Sequence, residues 1–222
     1  MTKKLFFEAI AKFIFGIVLV GLLVFVPGGL DYPLAWLFMA ILFVPMLFAG
    51  IVMMVKCPEL LRKRLSAKEK QGEQQTVVKL SGLMFVFGFV AAGLDHRFGW
   101  LPIPTWISIA AAALFLLAYI LYAEVLRENV YLSRTVEVQE GQKVIDTGLY
   151  GIVRHPMYMA TLLLFLSIPL VLGSVISLVF FLAYPAIIIM RLKNEEKILE
   201  QGLEGYAEYK NRVKYRLIPY IW

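Results

Sequence analysis

The sequence predicts an all-α, polytopic integral membrane protein with about six (five to six) transmembrane helices and a cytoplasmic C-terminal amphipathic helix. Three observations carry that expectation. Hydrophobic residues make up 60% of the 222 and charged residues only 17%, with a mean hydropathy of +0.76, far more apolar than a soluble domain of this size. The apolar residues fall into runs near the length that crosses a bilayer, about 20 residues. Basic residues gather between the runs rather than within them, as in loops that face an anionic cytoplasmic leaflet.

Taken in order, the expected spans run from about Leu5 to Val26, Leu34 to Val55, Val77 to Leu94, Trp106 to Val125, Met157 to Leu172 and Val175 to Met190. The first follows Lys3-Lys4 and so resembles a secretory signal, but Pro-Gly-Gly follows it in place of a small-residue cleavage site. It reads as a retained span. The last two runs are short and joined only by Gly173-Ser174, which predicts a tight helical hairpin that need not cross fully. Pro27 to Pro33 and Asp95 to Pro104 are short, Gly/Pro-rich reversals. The segment carrying Lys56, Arg62, Lys63, Arg64, Lys68 and Lys70 is strongly basic, which places it with both termini on the cytoplasmic side. In the tail, Leu199, Leu203, Tyr206, Tyr209 and Val213 recur at roughly helical spacing beside Lys210, Arg212, Lys214 and Arg216, the pattern of a basic amphipathic surface helix. Residues 1–126 form an N-terminal membrane region and 127–222 a region expected to carry the chemistry.

Several function classes drop out. The formal net charge of +6 is explained by the loop arginines and lysines, so no nucleic-acid partner is expected. A single cysteine, Cys57, excludes an internal disulfide and a Cys-rich metal site. The two histidines, His96 and His155, fall on opposite membrane faces in this topology, so no metal is expected. The chain holds no GxGxxG, GxxxxGK[ST] or GxSxG pattern. A nucleotide-like cofactor would therefore bind without a Rossmann domain.

The stretch from Gly148 to Tyr158 is the centre of the functional reading. Arg154 and His155 lead into an apolar run, Pro156 suits a first helical turn because its missing N–H is unneeded there, and Tyr150 and Tyr158 flank them. Polar groups thus collect at a helix N-terminus, which favours electron-rich ligand atoms. Upstream, Val136-Glu137-Val138 and Val144-Ile145 are extended in character, with turns at Glu140-Gly141-Gln142 and Asp146-Thr147-Gly148. Downstream, Arg191 and Glu195 stand one helical turn apart and share a face. Each of these residues has an ordinary alternative: Arg154 as a membrane anchor, the tyrosines as an aromatic belt, Arg191 and Glu195 as an exposed ion pair. Their convergence on one membrane face favours a pocket.

Thr147-Gly148-Leu149-Tyr150, then Arg154-His155-Pro156-Met157-Tyr158, then Arg191 with Glu195-Glu196, then Gly205-Tyr206 and Tyr209 before Leu-Ile-Pro, resemble the isoprenylcysteine carboxyl methyltransferase family. Membrane phospholipid methyltransferases share part of the pattern. The resemblance covers roughly the C-terminal half. It implies methyl transfer dependent on S-adenosylmethionine at the cytoplasmic membrane face, with a lipophilic or small amphipathic acceptor entering from the bilayer. Carried over by position, Gln142, Lys143, Val144 and Ile145 would line the cofactor through backbone groups. Tyr150, His155, Pro156, Met157 and Tyr158 would form the pocket wall, Glu195 would bind a polar group of the cofactor, and Arg191 would contact the acceptor. Arg191 and His155 are the expected catalytic residues. Leu149, Gly151 and Ala160 depart from residues common in relatives and bear on pocket shape, hence on the acceptor's identity.

Two rival readings stand beside this one. Sterol-type membrane reductases also present an Arg-His-Pro stretch and a Tyr-rich tail, and use NADPH. A non-catalytic scaffold or small transporter would need the cytoplasmic charges only as anchors, but the spans show no inverted repeat and no charge near a midplane.

Overall fold

The computed structural model describes residues 3–65, 72–133 and 135–222, and among these every regular element is a helix. Its α-helices are α1 (Lys3–Gly28), α2 (Pro33–Lys56), α3 (Pro58–Leu65), α4 (Gly72–Phe98), α5 (Thr105–Glu128), α6 (Pro156–Val171), α7 (Val175–Phe181), α8 (Tyr184–Gly202) and α9 (Tyr206–Arg212). A 3-10 turn over Gly148–Gly151 precedes α6. Prolines set several starts: Pro33 opens α2, Pro156 opens α6, and Pro185 lies in the first turn of α8, where the absent N–H is one of the unpaired helix-end groups anyway.

Five helical stretches are long and apolar enough to cross a bilayer: Lys3–Gly28, Pro33–Lys56, Gln74–Phe98, Thr105–Glu128 and Val175–Gly202. The last combines α7 and α8 across a break at Leu182-Ala183. Helix α6 is apolar but only 16 residues long. The expected short hairpin is therefore one undersized helix followed by a broken but long one, which runs well past Met190. Lys68 and Lys70 of the expected basic loop lie outside the described residues.

Helix α1 packs on α4, α4 on α7 and α8, and α5 along α6. Phe38, Phe89, Phe115 and Phe181 fill the centre where these helices meet, while large apolar side chains of α1 and α2 such as Phe15, Val26 and Phe48 point outward. That outward face suits lipid, and the helix is the open-ended element whose backbone polar groups are satisfied within lipid. At the α1–α4 crossing two glycines meet. A Cβ on Gly93 would stand 2.6 Å from both Pro27 Cγ and the Val24 carbonyl oxygen, while Gly82, on the same helix, has nothing within 4 Å. Close approach of this kind is how membrane helices gain packing without a hydrophobic driving force. Gly93→Ala is expected to destabilise the protein by about 1–3 kcal/mol through overpacking, whereas Gly82→Ala should be neutral or stabilising. Unfolding midpoints in detergent compare the two, and equal midpoints would refute the crossing.

The connection between α6 and α7 is anchored at the far end of the bundle. Ser174 Oγ caps α7 by accepting from the Ser177 N–H at 3.0 Å and donates to Asp95 Oδ2 at 2.6 Å, while Asp95 Oδ1 accepts from the Leu101 N–H at 3.0 Å. Pro102 bridges to Ser174, which brings the start of α5 level with the end of α6. Because α5 has 24 residues and α6 only 16, the Pro156 end of α6 stops about 12 Å short of the Glu128 end of α5, at 1.5 Å per residue. Residues 129–133 and 135–155 fold into that recess.

Candidate active site

The recess is walled on one side by residues 129–133 and 135–145, on a second by the entry to α6, and on a third by α8 and α9. Residues 136–138 and 144–145, extended in character, form no strand and run as irregular chain, and Val138 and Val144 pack on Leu199, Leu203, Tyr206, Tyr209 and Val213. That cluster shows what the apolar side of the amphipathic tail packs on. The apolar stripe of α9 faces inward and closes the cleft, because Gly205 at φ +79° turns the chain back over it, a conformation that favours glycine.

Gln142, Lys143, Val144, Ile145, Tyr150, His155, Met157, Tyr158, Arg191 and Glu195 all line this one cleft. Pro156 does not. As the first residue of α6 it is fully buried and shapes the wall from behind. Asn129, Glu137, Arg154, Ile198, Leu199, Tyr206 and Tyr209 also contribute to the lining.

Two polar networks hold the site. In the first, the Tyr158 hydroxyl donates to Glu195 Oε2 and accepts from Arg191 Nε at 3.0 Å, so the expected Arg191–Glu195 pair is bridged by a phenol from α6. The second centres on Glu196, which sequence reading placed in the motif without a role. Its Oε1 accepts from Arg154 Nε at 2.8 Å and lies 3.3 Å from His155 Nε2, while Oε2 accepts from Arg216 Nε at 2.9 Å. Arg154, His155 and Glu196 are all buried. A carboxylate can only accept, so Nε2 of His155 donates in this pair, and Nδ1 is the ring atom left to accept.

The tail beyond α9 completes this second network. Arg154 Nη1 donates to the carbonyls of Val213 and Lys214 at 2.8 and 2.9 Å. The backbone N–H groups of Arg154 and His155 donate to the carbonyls of Tyr215 and Arg216, both at 2.9 Å. The Arg216 guanidinium lies 5.2 Å from the Trp222 ring centroid, a cation–π contact that restrains it. On the opposite wall, Asn129 Nδ2 donates to the Tyr150 hydroxyl at 3.0 Å and the Tyr209 hydroxyl donates to the Tyr150 carbonyl at 2.8 Å. Burial raises the phenols of Tyr150, Tyr206 and Tyr209 above their ordinary value, so all three remain neutral donors. Gly148, at φ +52°, lets the 3-10 turn pass against the Glu128 carboxylate, which a Cβ there would meet at 2.5 Å.

Arg154, Glu196, Arg216, Asn129 and Tyr206 were missing from the expected site. The doubled acid Glu195-Glu196 is the signal that could have found Glu196: neighbours on a helix point about 100° apart, so one faces the cleft and the other faces the bundle. A buried carboxylate then requires buried cations, and Arg154 is the arginine adjoining His155.

Residues 106–204 match the phospholipid methyltransferase family. Similar curated proteins are Δ(14)-sterol reductases: one from Mus musculus is 31% identical over 91 residues, 40% of this chain and 22% of that protein. One from Arabidopsis thaliana is 32% identical over 87 residues, 37% of this chain and 23% of that protein. A third, from Methylotuvimicrobium alcaliphilum, is 24% identical over 155 residues, 63% of this chain and 36% of that protein. The chain thus spans between about a fifth and somewhat over a third of the length of these relatives. Among solved structures, the eukaryotic intramembrane Ras methyltransferase, isoprenylcysteine carboxyl methyltransferase, superposes with a TM-score of 0.56 at 18% identity, over 97% of this chain and 84% of that one. The chain is therefore similar to the phospholipid methyltransferase family over residues 106–204 and shares the fold of isoprenylcysteine carboxyl methyltransferase.

Proposed function

We propose that the protein is a membrane methyltransferase that uses S-adenosylmethionine to methylate a lipophilic or small amphipathic acceptor at the cytoplasmic face, in the manner of a carboxyl O-methyltransferase. The observation that carries this reading is the cleft itself: one lining brings together Arg191, Tyr158, Glu195 and His155 at the recessed end of an undersized helix. An acceptor can therefore reach the site laterally from the bilayer while the cofactor enters from water.

The lining fits such a cofactor. It carries Lys143, Arg154 and Arg191 against Glu137 and Glu195, with Arg154 bound to Glu196 behind it, so its charges nearly balance. A zwitterionic cofactor with a sulfonium suits that balance, and the tyrosine faces offer it about 0.5–2 kcal/mol of cation–π attraction. A dinucleotide phosphate would ask for a surplus of cations.

When bound, S-adenosylmethionine supplies the electrophilic methyl group. The chain's own task is then to hold the acceptor in line with it and keep water away. Arg191, fixed by the Tyr158 hydroxyl, orients an anionic acceptor by a charge-assisted bond. Glu195 accepts from an ammonium or ribose hydroxyl, and the backbone of Gln142 to Ile145 lines the opposite wall. A carboxylate acceptor arrives ionised and needs no base. A thiol or amine would pass its proton to Nδ1 of His155.

One observation favours a second reading: the similar curated proteins are sterol reductases, two of them more than 30% identical over their matched segments. Isothermal titration of the detergent-solubilised protein with S-adenosylhomocysteine and with NADPH separates the two. Binding of S-adenosylhomocysteine alone is the expected result, and binding of NADPH alone would replace the methyltransferase by a reductase.

A further inference from the structure

The hydroxyl of Tyr206 is a buried polar atom that finds no partner among the described residues. Its side chain is 4% exposed and forms part of the cleft lining beside Tyr209, Leu199 and Leu203. Its neighbours are otherwise committed. Tyr209, one turn on, donates to the Tyr150 carbonyl, and the Tyr150 hydroxyl is held by Asn129. A buried donor left without an acceptor is costly, and nearly all such groups in native proteins find a partner. The position is not accidental: Gly205 in the left-handed region starts α9, and the packing of Val144, Leu203 and Val213 fixes the ring against the cleft wall.

We propose that Tyr206 is a ligand-binding residue of this cleft, and that its hydroxyl donates to a neutral acceptor on the nucleoside half of the cofactor, a ribose oxygen or an adenine ring nitrogen. This rests on the methyltransferase reading and deepens it. The choice of half follows from the surroundings. The carboxylates of Glu195 and Glu196 both act on the Tyr206 phenol, and Glu195 stands in the same lining. A second carboxylate, that of the cofactor's amino-acid end, would be repelled from this corner. An uncharged acceptor would not.

The test compares wild type and Tyr206→Phe by titration with S-adenosylhomocysteine and with 5′-deoxy-5′-methylthioadenosine, which keeps the nucleoside and lacks the amino-acid end. The unfolding midpoint of each protein without ligand is measured beside it. The variant should bind both ligands roughly 3- to 10-fold more weakly, the worth of one hydrogen bond, with an unliganded midpoint equal to or above wild type because the stranded hydroxyl is gone. Unchanged affinity for both ligands would overturn the assignment, since the hydroxyl would then hold only water. A loss confined to S-adenosylhomocysteine would overturn the nucleoside placement. A folded wild type that binds neither ligand would overturn the methyltransferase reading and this assignment with it, whereas a binding wild type with an unaltered variant overturns this assignment alone.

Discussion

Glu196→Ala is expected to be the most damaging single truncation at the site, lowering stability by about 3–5 kcal/mol. The substitution leaves the Arg154 guanidinium 6% exposed with its carboxylate gone, and removes the partner of His155 and Arg216 at the same time. The two carbonyls that still accept from Arg154 Nη1 leave its Nε–H without the acceptor that Glu196 supplied and its charge uncompensated. For a chain of this size the corresponding fall in unfolding midpoint is roughly 10 °C, and cofactor binding should be lost with it because His155 is no longer held. Glu196→Gln should lie between wild type and Ala, since the amide oxygen can still accept. Scanning fluorimetry in detergent reads the series. A midpoint for the Ala variant within 2 °C of wild type, or about that, would show that the cluster does not hold the site together.

Glu195→Gln should give the opposite profile: affinity for S-adenosylhomocysteine falls about 10- to 100-fold, the worth of a hydrogen bond to a charged group, with little change in midpoint. Glu195 faces the cleft, and the Tyr158 hydroxyl that it accepts also bonds to Arg191, so an amide oxygen can keep that contact. What the amide cannot supply is the negative charge facing an ammonium or a ribose hydroxyl of the ligand. The contrast between adjacent residues is the sharper test, because both are glutamates on one helix separated only by the side they face. Equal loss of stability in the two variants would merge the two networks and remove the basis for assigning Glu195 to ligand and Glu196 to structure.

The legibility of the chain followed the reach of its local signals. Span-length apolar runs and prolines at helix starts are written locally, so the long helices, Pro156 at the head of α6 and the Gly173-Ser174 reversal were readable. So was the gathering of Tyr150, His155, Tyr158, Arg191 and Glu195 in one place, because they lie at helix ends on one side of the bundle. The amphipathic character of the tail was readable but its partner was not, because an apolar stripe does not say what covers it: Tyr206, Tyr209 and Val213 look the same facing lipid as facing Val138 and Val144. The runs around Val136 and Val144 read as extended, and without a partner strand they stay irregular. Arg154 and Arg216 were hidden by their commonest use in membrane proteins, which is to sit at the surface as anchors.

The stitching of residues 213–216 onto residues 154 and 155 also orders events during synthesis. Arg154 acquires its carbonyl partner on Lys214 from a residue made 60 positions later, after α6, α7 and α8 have emerged and can enter the bilayer. A chain still being translated can thus form its apolar helices before the cleft wall at Arg154 gains the partners that the tail supplies, so the cleft is the last part of the fold that can close.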